Sequence, residues 1–312
     1  MKTAFIFPGQ GAQAVGMGKD IDQAYPVAAE IYKRADKVVG YALSELCFEG
    51  PQEQLNATTI SQPAIFVTSA AILEVLRTQG AGKIPAADVT AGLSLGEYTA
   101  LYAAGVMSFE DALKLVQKRG QAMQAAADAS KGSMVSILRL EGPKLDELIA
   151  EASQGELLAA ANFNCPGQIV ISGTIGACAR AVELAEKHGA MKAVPLAVAG
   201  AFHTEMMSPA ADSLKTALDS TEISAPSKIS VLANVNVEYY KDAAAIRCGL
   251  CRQLTCPILW QKSMERLIAE GCETFYEIGP GRVLTGLMKK IDRNANVVNL
   301  STAEALAALL NG

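Results

Sequence analysis

The sequence predicts an α/β fold, in which a large domain built on a parallel sheet carries a smaller inserted subdomain. Strands, loops and helices alternate in the first 130 residues and again after residue 199, which favours a parallel sheet. Between residues 131 and 198 the order of predicted strands and helices changes to that of a compact four-stranded unit. The chain has 312 residues, 50% of them apolar, so it is long enough to bury two cores of unequal size.

The large domain is predicted over residues 1–130 and 199–312. Its first strand leads into a loop rich in glycine and glutamine, and helices then extend to about residue 80. A helix is expected from about Glu97, and a longer one from Ser108 to about Asp128, where the first residues resemble a capping box. The predicted strands are Thr3–Phe7, Asp88–Gly92, Ile229–Asn234 and Thr274–Ile278.

The small subdomain is predicted over residues 131–198 as a ferredoxin-like unit with the element order βαββαβ. A turn at residues 164–167 separates its two middle strands. The predicted elements are strand Ser133–Leu140, helix Pro143–Ser153, strands Glu156–Phe163 and Gln168–Ser172, helix Ile175–His188 and strand Met191–Val198.

Composition argues against several classes of function. The formal net charge is −5, so the chain lacks the basic stripe of a nucleic-acid-binding protein. No apolar run reaches the roughly 18 residues that span a bilayer, so no membrane association is expected. Seven cysteines without a signal peptide indicate a reducing compartment. Cys248, Cys251 and Cys256 lie close together, but both histidines are far away, so buried inert thiols are a better interpretation than a zinc site.

Residues 92–96, Gly-Leu-Ser-Leu-Gly, match the G-x-S-x-G pattern of a nucleophile elbow. A predicted strand precedes the motif and a helix follows it, which is the context of an exposed serine in an α/β-hydrolase-like domain. The helix N-terminus would help to stabilise negative charge there. The alternative is an ordinary strand-to-helix turn with a capping serine. We therefore predict that Ser94 is a nucleophile.

A serine hydroxyl needs a base to remove its proton, and the chain offers two histidines. His188 ends a predicted helix just before Gly189, where a histidine caps carbonyls and faces water. His203 lies in a loop at the junction of the two predicted domains. We therefore predict His203 as the base, although no acidic partner for it is evident in the sequence.

The predicted helix over residues 109–128 carries one arginine in the middle of its apolar face, Arg119. A guanidinium cannot shed its charge and is rarely buried without an anion. Helix geometry leaves two alternatives equally open: an internal salt bridge to an aspartate or glutamate, or bidentate hydrogen bonding to a substrate carboxylate.

Taken together, these residues resemble the malonyl-CoA:acyl carrier protein transacylase family over essentially the whole chain. Seven segments match in order: Phe7–Gly11, Gly92–Tyr98, Lys118–Met123, Asn162–Gly173, Gly200–His203, Arg252–Leu254 and Glu277–Gly281.

The resemblance implies a role for each site residue. Ser94 would be the nucleophile, His203 the base, and Arg119 the group that holds the malonyl carboxylate. The remaining assignments are the backbone N–H groups of Gln10 and Leu95 as the oxyanion hole, Gln253 as the residue whose carbonyl orients the histidine, Asn162 as a cleft-lining residue, and Phe202 as a mark of malonyl selectivity.

One departure from the family pattern concerns Leu93, where many members have histidine. A leucine there resembles the plastid and cyanobacterial branch, so the expected location is the bacterial cytosol, or the plastid stroma if a transit peptide has been removed. The resemblance further implies no cofactor and no metal, coenzyme A thioester as substrate, acyl carrier protein as partner, and a monomer.

Three other functions stay open at this point. A trans-acting polyketide acyltransferase shares most of these motifs and differs in its carrier. A serine thioesterase or esterase fits the elbow, but no clear acid lies between Ser94 and a late histidine. A non-catalytic binding lobe would not need Ser94 together with His203. Lys289, Lys290 and Arg293 could meet an acidic carrier, although a solvated helix end explains them as well.

Overall fold

The computed structural model describes residues 2–80, 82 and 84–311, and its strands form two separate sheets. The strands are β1 (Lys2–Phe7), β2 (Val89–Gly92), β3 (Gly132–Leu138), β4 (Leu158–Cys165), β5 (Gln168–Thr174), β6 (Lys192–Pro195), β7 (Ser230–Val231), β8 (Cys272–Ile278) and β9 (Asn296–Leu300). One sheet has five strands in the order β7-β2-β1-β8-β9, and all its pairings are parallel. The other has four strands in the order β4-β5-β3-β6, and all its pairings are antiparallel.

Helices cover both faces of the parallel sheet and one face of the antiparallel sheet. They are α1 (Lys19–Ala24), α2 (Pro26–Val39), α3 (Leu43–Glu49), α4 (Gln52–Asn56), α5 (Thr58–Gln79), α6 (Gly96–Ala103), α7 (Phe109–Ala129), α8 (Pro143–Ser153), α9 (Ile175–Leu184), α10 (Ser208–Ser220), α11 (Ala243–Thr255), α12 (Trp260–Ala269), α13 (Val283–Ile291) and α14 (Ala303–Asn311). The predicted α/β class, with a parallel sheet and a separate small antiparallel one, is confirmed.

Strand β1 shows how the parallel sheet is buried on both faces. Its alternate residues belong to different apolar clusters: Phe5 and Phe7 pack with α5 and α7, whereas Ala4 and Ile6 pack with α12 and α13. Because side chains alternate along a strand, a sheet between two helical layers needs apolar residues at nearly every position. From Ala4 to Phe7 the strand is therefore a continuous apolar run.

Helix α5 is the most apolar long helix and lies in the centre of the larger cluster. An 18-residue window in it has a mean hydropathy of 1.5, so its length and composition alone would suit a membrane span. In the fold, however, 83% of that window is buried inside the protein. The helix is apolar all round because other elements cover it on every side.

The antiparallel sheet and its two helices follow the predicted ferredoxin-like order, β3-α8-β4-β5-α9-β6. Most predicted boundaries differ from the observed ones by one or two residues, and two are wrong by more than that. Helix α9 ends at Leu184 instead of continuing to His188. The His188 ring lies beyond the helix, with its Nε2 2.8 Å from Glu151 Oε2. Strand β6 ends at Pro195, before the predicted Val198, because the chain then leaves the sheet to line the cleft described below.

The cysteine prediction is only partly correct. Cys47, Cys165, Cys178 and Cys272 are buried, but Cys248 is exposed, and Cys251 and Cys256 are half-buried. Cys248 and Cys251 lie on parts of α11 that solvent reaches, and Cys256 follows the end of that helix. In the described ranges, no group of three histidine, cysteine or acidic side chains could hold a metal ion.

The carboxyl ends of the central strands meet at one edge of the parallel sheet. In the pairing of β1 with β2, Phe7 lies opposite Gly92, so the loops that follow the two strands start side by side. Strand β7, on the other side of β2, delivers its own following loop to the same edge. Ligands bind at this edge in open parallel sheets, and Gln10, Ser94 and Asn234 all lie in these loops.

Candidate active site

Ser94 lies in a tight turn between β2 and α6, in a strained backbone conformation. Its φ is 51°, in the left-handed region, which costs a non-glycine residue on the order of 1–3 kcal/mol. The flanking glycines are required by space. A Cβ at Gly92 would lie 1.9 Å from the Gly96 carbonyl carbon, and one at Gly96 would lie 2.1 Å from the Phe7 oxygen. The turn therefore has the tight, glycine-flanked geometry that the G-x-S-x-G motif predicts.

Two side chains hold the strained Ser94 backbone. Its N–H donates to Asn234 Oδ1 at 2.8 Å, and its carbonyl accepts from Gln253 Nε2 at 2.8 Å. Asn234 also donates through Nδ2 to the Gly92 carbonyl at 2.7 Å. Both polar groups of the Ser94 main chain thus have side-chain partners, and the carbonyl also accepts from the Glu97 N–H in the first turn of α6 at 3.1 Å.

His203 contacts the Ser94 hydroxyl and has a fixed tautomer. Its Nε2 lies 2.9 Å from Ser94 Oγ, and its Nδ1 lies 2.7 Å from the backbone carbonyl of Gln253. Because a carbonyl only accepts, Nδ1 carries the proton, and Nε2 of the neutral ring is free to accept from the hydroxyl. Burial, together with the nearby charge of Arg119, lowers the pKa of His203 from 6.5 to about 3. The imidazole is therefore neutral over the physiological range.

Arg119 is 1% exposed, and its guanidinium contacts the Ser94 hydroxyl. Its Nη2 donates to Ser94 Oγ at 3.0 Å and to Gln253 Oε1 at 2.9 Å, and its Nη1 donates to Gln62 Oε1 at 2.7 Å. The ring of Tyr98 lies 5.4 Å from the guanidinium carbon. Within the part of the chain that is described, no carboxylate forms a salt bridge with it, so the first alternative from helix geometry is wrong.

Glu97, three residues after Ser94, is a fully buried carboxylate in the first turn of α6. Its Oε1 accepts from the Tyr240 hydroxyl at 2.6 Å and from the Asn234 N–H at 3.3 Å, and its Oε2 accepts from Gln253 Nε2 at 2.5 Å. Burial raises the pKa of Glu97 to about 7, against the lowering effect of these hydrogen bonds and of Arg119.

The predicted oxyanion-hole donors lie next to the elbow. Among the described residues, the backbone N–H groups of Gln10 and Leu95 have no acceptor. Leu95 is the residue before α6, and the loop that carries Gln10 packs so closely on the elbow that a Cβ at Gly9 would lie 2.3 Å from the Leu93 carbonyl oxygen. Two free N–H donors beside a nucleophile are what a developing oxyanion requires.

A cleft of about 410 Å³ opens above Ser94 between the two sheets. Gln10, Ser94, Phe202 and His203 line it from the parallel-sheet side, and Asn162 on β4 lines it from the antiparallel side. Arg119, Leu95 and Gln253 are buried below its floor. The structure therefore brings all eight predicted site residues to one place.

Three further residues complete the site and received no role from the sequence. Asn234 follows the short strand β7, and the rule that parallel strands direct their following loops to one edge could have indicated it. Gln62 is a buried amide in the apolar helix α5, and Glu97 is a buried acid in the apolar helix α6. A polar residue in an otherwise apolar helix was the available signal for both.

Comparison with known proteins agrees with this geometry. A family model described as an acyl transferase domain matches residues 4–308. The chain is 44% identical to malonyl CoA-acyl carrier protein transacylase of Bacillus subtilis (strain 168) over 306 residues, 98% of this chain and 95% of the relative. It is 43% identical to the protein of the same name from Escherichia coli (strain K12) over 307 residues, 98% of each chain.

Solved structures agree with the curated relatives. An acyl carrier protein S-malonyltransferase from Vibrio cholerae superposes with a TM-score of 0.94 at 42% identity, covering 99% of this chain and 100% of the other. A malonyl-transacylase solved in complex with a type II polyketide synthase acyl-carrier protein gives a TM-score of 0.95 at 40% identity, with 100% of both chains covered. The elbow, the histidine and the buried arginine thus lie in a fold shared from end to end, and the chain belongs to the acyl transferase family, among its malonyl CoA-acyl carrier protein transacylases.

Proposed function

We propose that the protein transfers a malonyl group from malonyl-CoA to the phosphopantetheine thiol of acyl carrier protein, through a malonyl ester on Ser94. One observation carries this proposal: Ser94 Oγ lies 2.9 Å from a neutral imidazole nitrogen and 3.0 Å from a buried guanidinium. The first neighbour can take the hydroxyl proton, and the second can recognise a carboxylate.

In the first half-reaction Ser94 Oγ attacks the thioester carbonyl of malonyl-CoA as His203 Nε2 takes its proton. The carbonyl oxygen becomes an oxyanion that accepts hydrogen bonds from the N–H groups of Gln10 and Leu95. Collapse of this intermediate breaks the carbon–sulfur bond. The proton on His203 passes to the departing thiolate, which leaves as coenzyme A.

In the second half-reaction the phosphopantetheine thiol of the carrier replaces coenzyme A in the cleft. His203 takes the thiol proton as the sulfur attacks the ester carbonyl, and the same N–H donors stabilise the oxyanion. Collapse breaks the ester bond, and His203 returns the proton to Ser94. The enzyme is regenerated, and no cofactor or metal enters either step.

Arg119 supplies the recognition of the malonyl carboxylate. Its guanidinium is held by two amide oxygens and the Ser94 hydroxyl, none of which carries charge. Its Nε has no hydrogen-bond partner in the described structure. A buried guanidinium without a direct counter-ion favours an anionic ligand, because an unpaired charge in the interior is costly. A malonyl group on Ser94 brings such a carboxylate to it.

The comparisons support the substrate, the partner and the setting. The curated relatives are named for malonyl-CoA and acyl carrier protein, and one structural neighbour was solved with a carrier bound. The relatives named above are bacterial, which favours a bacterial cytosol over a plastid stroma. We further propose that the protein acts as a monomer and supplies fatty acid synthesis. A polyketide carrier is the alternative that the carrier-bound neighbour suggests.

Intact mass spectrometry tests this function directly. Incubation with malonyl-CoA should add one malonyl mass to the protein, and addition of holo acyl carrier protein should move that mass to the carrier. Ser94→Ala is the matched control and should acquire no malonyl mass, because no other side chain replaces the nucleophile. A malonyl adduct on the Ser94→Ala variant would contradict the assignment, and rapid release of free malonate from the wild type would instead indicate a thioesterase.

A further inference from the structure

The two side chains that hold the Ser94 backbone are anchored on the same carboxylate. Gln253 donates to the Ser94 carbonyl and to Glu97 Oε2 through the same Nε2. Asn234 accepts from the Ser94 N–H, and its own N–H donates to Glu97 Oε1. The strained turn is therefore held at both of its main-chain polar groups by residues that lead back to Glu97.

The contacts of Glu97 are those of an ionised carboxylate. The side chain of Gln253, the N–H of Asn234 and the hydroxyl of Tyr240 all donate to it. A carboxylate can accept on both oxygens at once, whereas an amide or a protonated acid has to present a donor on one side. Loss of the charge therefore weakens at least one of the two anchors.

Gln253 extends this control to Arg119. The Oε1 of its amide accepts from Arg119, and the Nε2 of the same amide donates to Glu97. Arginine only donates and a carboxylate only accepts, so the orientation of the amide is fixed by its two neighbours. A counter-ion placed one amide away holds the guanidinium in position but leaves it free of a direct ion pair, which would compete with a substrate carboxylate.

We propose that Glu97 is a positioning residue for the acylation of Ser94, and that its ionised form anchors Gln253 and Asn234. The inference rests on the proposed function, since it concerns the rate at which malonyl-CoA acylates Ser94. It predicts that removal of the charge slows acylation about tenfold, the difference between a hydrogen bond to a charged group and one to a neutral group.

The pH profile separates this role from a merely structural one. The groups that face Glu97 from the surrounding elements are Tyr98 and Tyr240, whose pKa values are raised by burial, and Arg119, which stays charged at neutral pH. His203 is neutral, with a pKa of about 3. The group that titrates near neutrality is Glu97, with a pKa of about 7. The acid limb of the acylation rate should therefore belong to Glu97 and not to the histidine base.

The experiment is single-turnover acylation by malonyl-CoA, followed by rapid quenching and intact mass measurement from pH 5 to 9. The wild type should lose rate as the pH falls through about 7. Glu97→Gln should show the low rate at every pH and no limb in this range. Glu277→Gln is the matched control, because Glu277 is equally buried and accepts from donors near the start of α13 and from the Asn299 side chain on β9, away from Ser94. It should keep the wild-type limb.

A second variant covers the case in which Glu97→Gln fails to fold. Tyr240→Phe removes a hydrogen bond that lowers the pKa of Glu97, so it should move the acid limb to higher pH. A limb that survives in Glu97→Gln, or that stays in place in Tyr240→Phe, overturns the proposal. A wild type that forms no malonyl ester on Ser94 would instead contradict the proposed function itself.

Discussion

The two sheets differ in how they are enclosed and in what they bring to the cleft. Strands β1 and β2 of the parallel sheet are buried along nearly their whole length between two apolar clusters. In the antiparallel sheet β3 and β5 are also largely buried, but the edge strands β4 and β6 are half-buried or exposed at many positions. All groups that touch the Ser94 hydroxyl come from the first region, and the second adds one wall of the cleft. The side chains that contact Ser94 are thus carried by the part of the fold whose backbone is packed on both faces.

This contrast predicts two kinds of mutational effect. Changes at the carboxyl edge of the parallel sheet should alter the rate of the chemical steps, because the reacting atoms are held there. Changes in the antiparallel wall should weaken the binding of the ground state and of the transition state equally. They should therefore raise the KM with little effect on kcat.

The largest effect is expected for His203→Ala. Loss of the base should slow acylation by orders of magnitude while leaving malonyl-CoA binding nearly intact, because the imidazole acts in proton transfer. Single-turnover acylation with separate measurement of the dissociation constant checks both parts. An unchanged acylation rate would remove His203 from the mechanism.

Arg119→Ala should change selectivity more than reactivity. Removal of one partner from a buried charge pair costs roughly 2–5 kcal/mol, so kcat/KM for malonyl-CoA should fall about thirtyfold to several thousandfold. Acetyl-CoA has no distal carboxylate and therefore loses no ion pair, so its transfer should fall little or improve. An improvement is expected because Arg119 lowers the pKa of His203, and its removal makes the imidazole a stronger base.

Arg119→Lys is the matched control and should rescue malonyl transfer only in part, since an ammonium cannot make a two-pronged contact. Parallel kinetics with the two thioesters decide the question. If malonyl and acetyl transfer fell in equal proportion, Arg119 would have a purely structural role.

The buried imidazole should also make the fold sensitive to acid. Between pH 6.5 and 3 the unfolded chain takes up a proton at His203 that the folded protein excludes, so this contribution to stability is full above pH 6.5 and is lost as the pH falls. At pH 5 the loss amounts to about 2 kcal/mol. Denaturant unfolding of the wild type and His203→Gln at pH 7 and 5 should show the stability difference changing by that amount in favour of the variant. A constant difference would contradict the shifted pKa.

Much of this arrangement could be predicted from the sequence, and particular residues show where prediction stopped. Ser94 was evident because a tight turn requires glycines at fixed spacing. Arg119 was evident because a charge on an apolar helix face is rare. The choice between its two alternatives needed three dimensions, since its actual partners, Gln62 and Gln253, are 57 and 134 residues away along the chain.

The two strand ends that were predicted too late have a common cause. Strand β7 is shorter than the predicted Ile229–Asn234, and β6 ends before Val198. In both places an apolar or β-branched stretch leaves its sheet: residues 196–198 line the cleft, and Asn234 bonds to the Ser94 backbone. Local sequence preference does not indicate such a departure. For this reason sequence preference places Asn234 in a strand, whereas in the structure its side chain accepts from the Ser94 N–H.

Leu93→His tests whether the residue beside the nucleophile takes part in the chemistry. Leu93 lies against the apolar cluster with Ala91 and Trp260, and lines the cleft without a place in the proton path between Ser94 and His203. Activity should stay within about tenfold of the wild type, because the change leaves the proton relay intact. Steady-state kinetics at saturating malonyl-CoA check this, and a loss as large as that of Ser94→Ala would mean that the base has been misassigned.

The smallest effect is expected at Asn162, on the antiparallel side of the same cleft. Its side chain lines the cleft but forms no hydrogen bond with Ser94, His203 or Arg119 in the described structure. Asn162→Ala should therefore raise the KM for malonyl-CoA by a few fold and leave kcat nearly unchanged, as expected for a group that binds ground state and transition state alike. Initial rates over a range of malonyl-CoA concentrations separate the two constants.

Gln168→Ala, on the neighbouring strand β5 and also lining the cleft, is a suitable second wall variant. If Asn162→Ala lowered kcat while Gln168→Ala did not, Asn162 would belong with the groups that act on the reacting atoms. The antiparallel sheet would then contribute to the chemistry as well as to the wall, and the division of labour between the two sheets would fail at that residue.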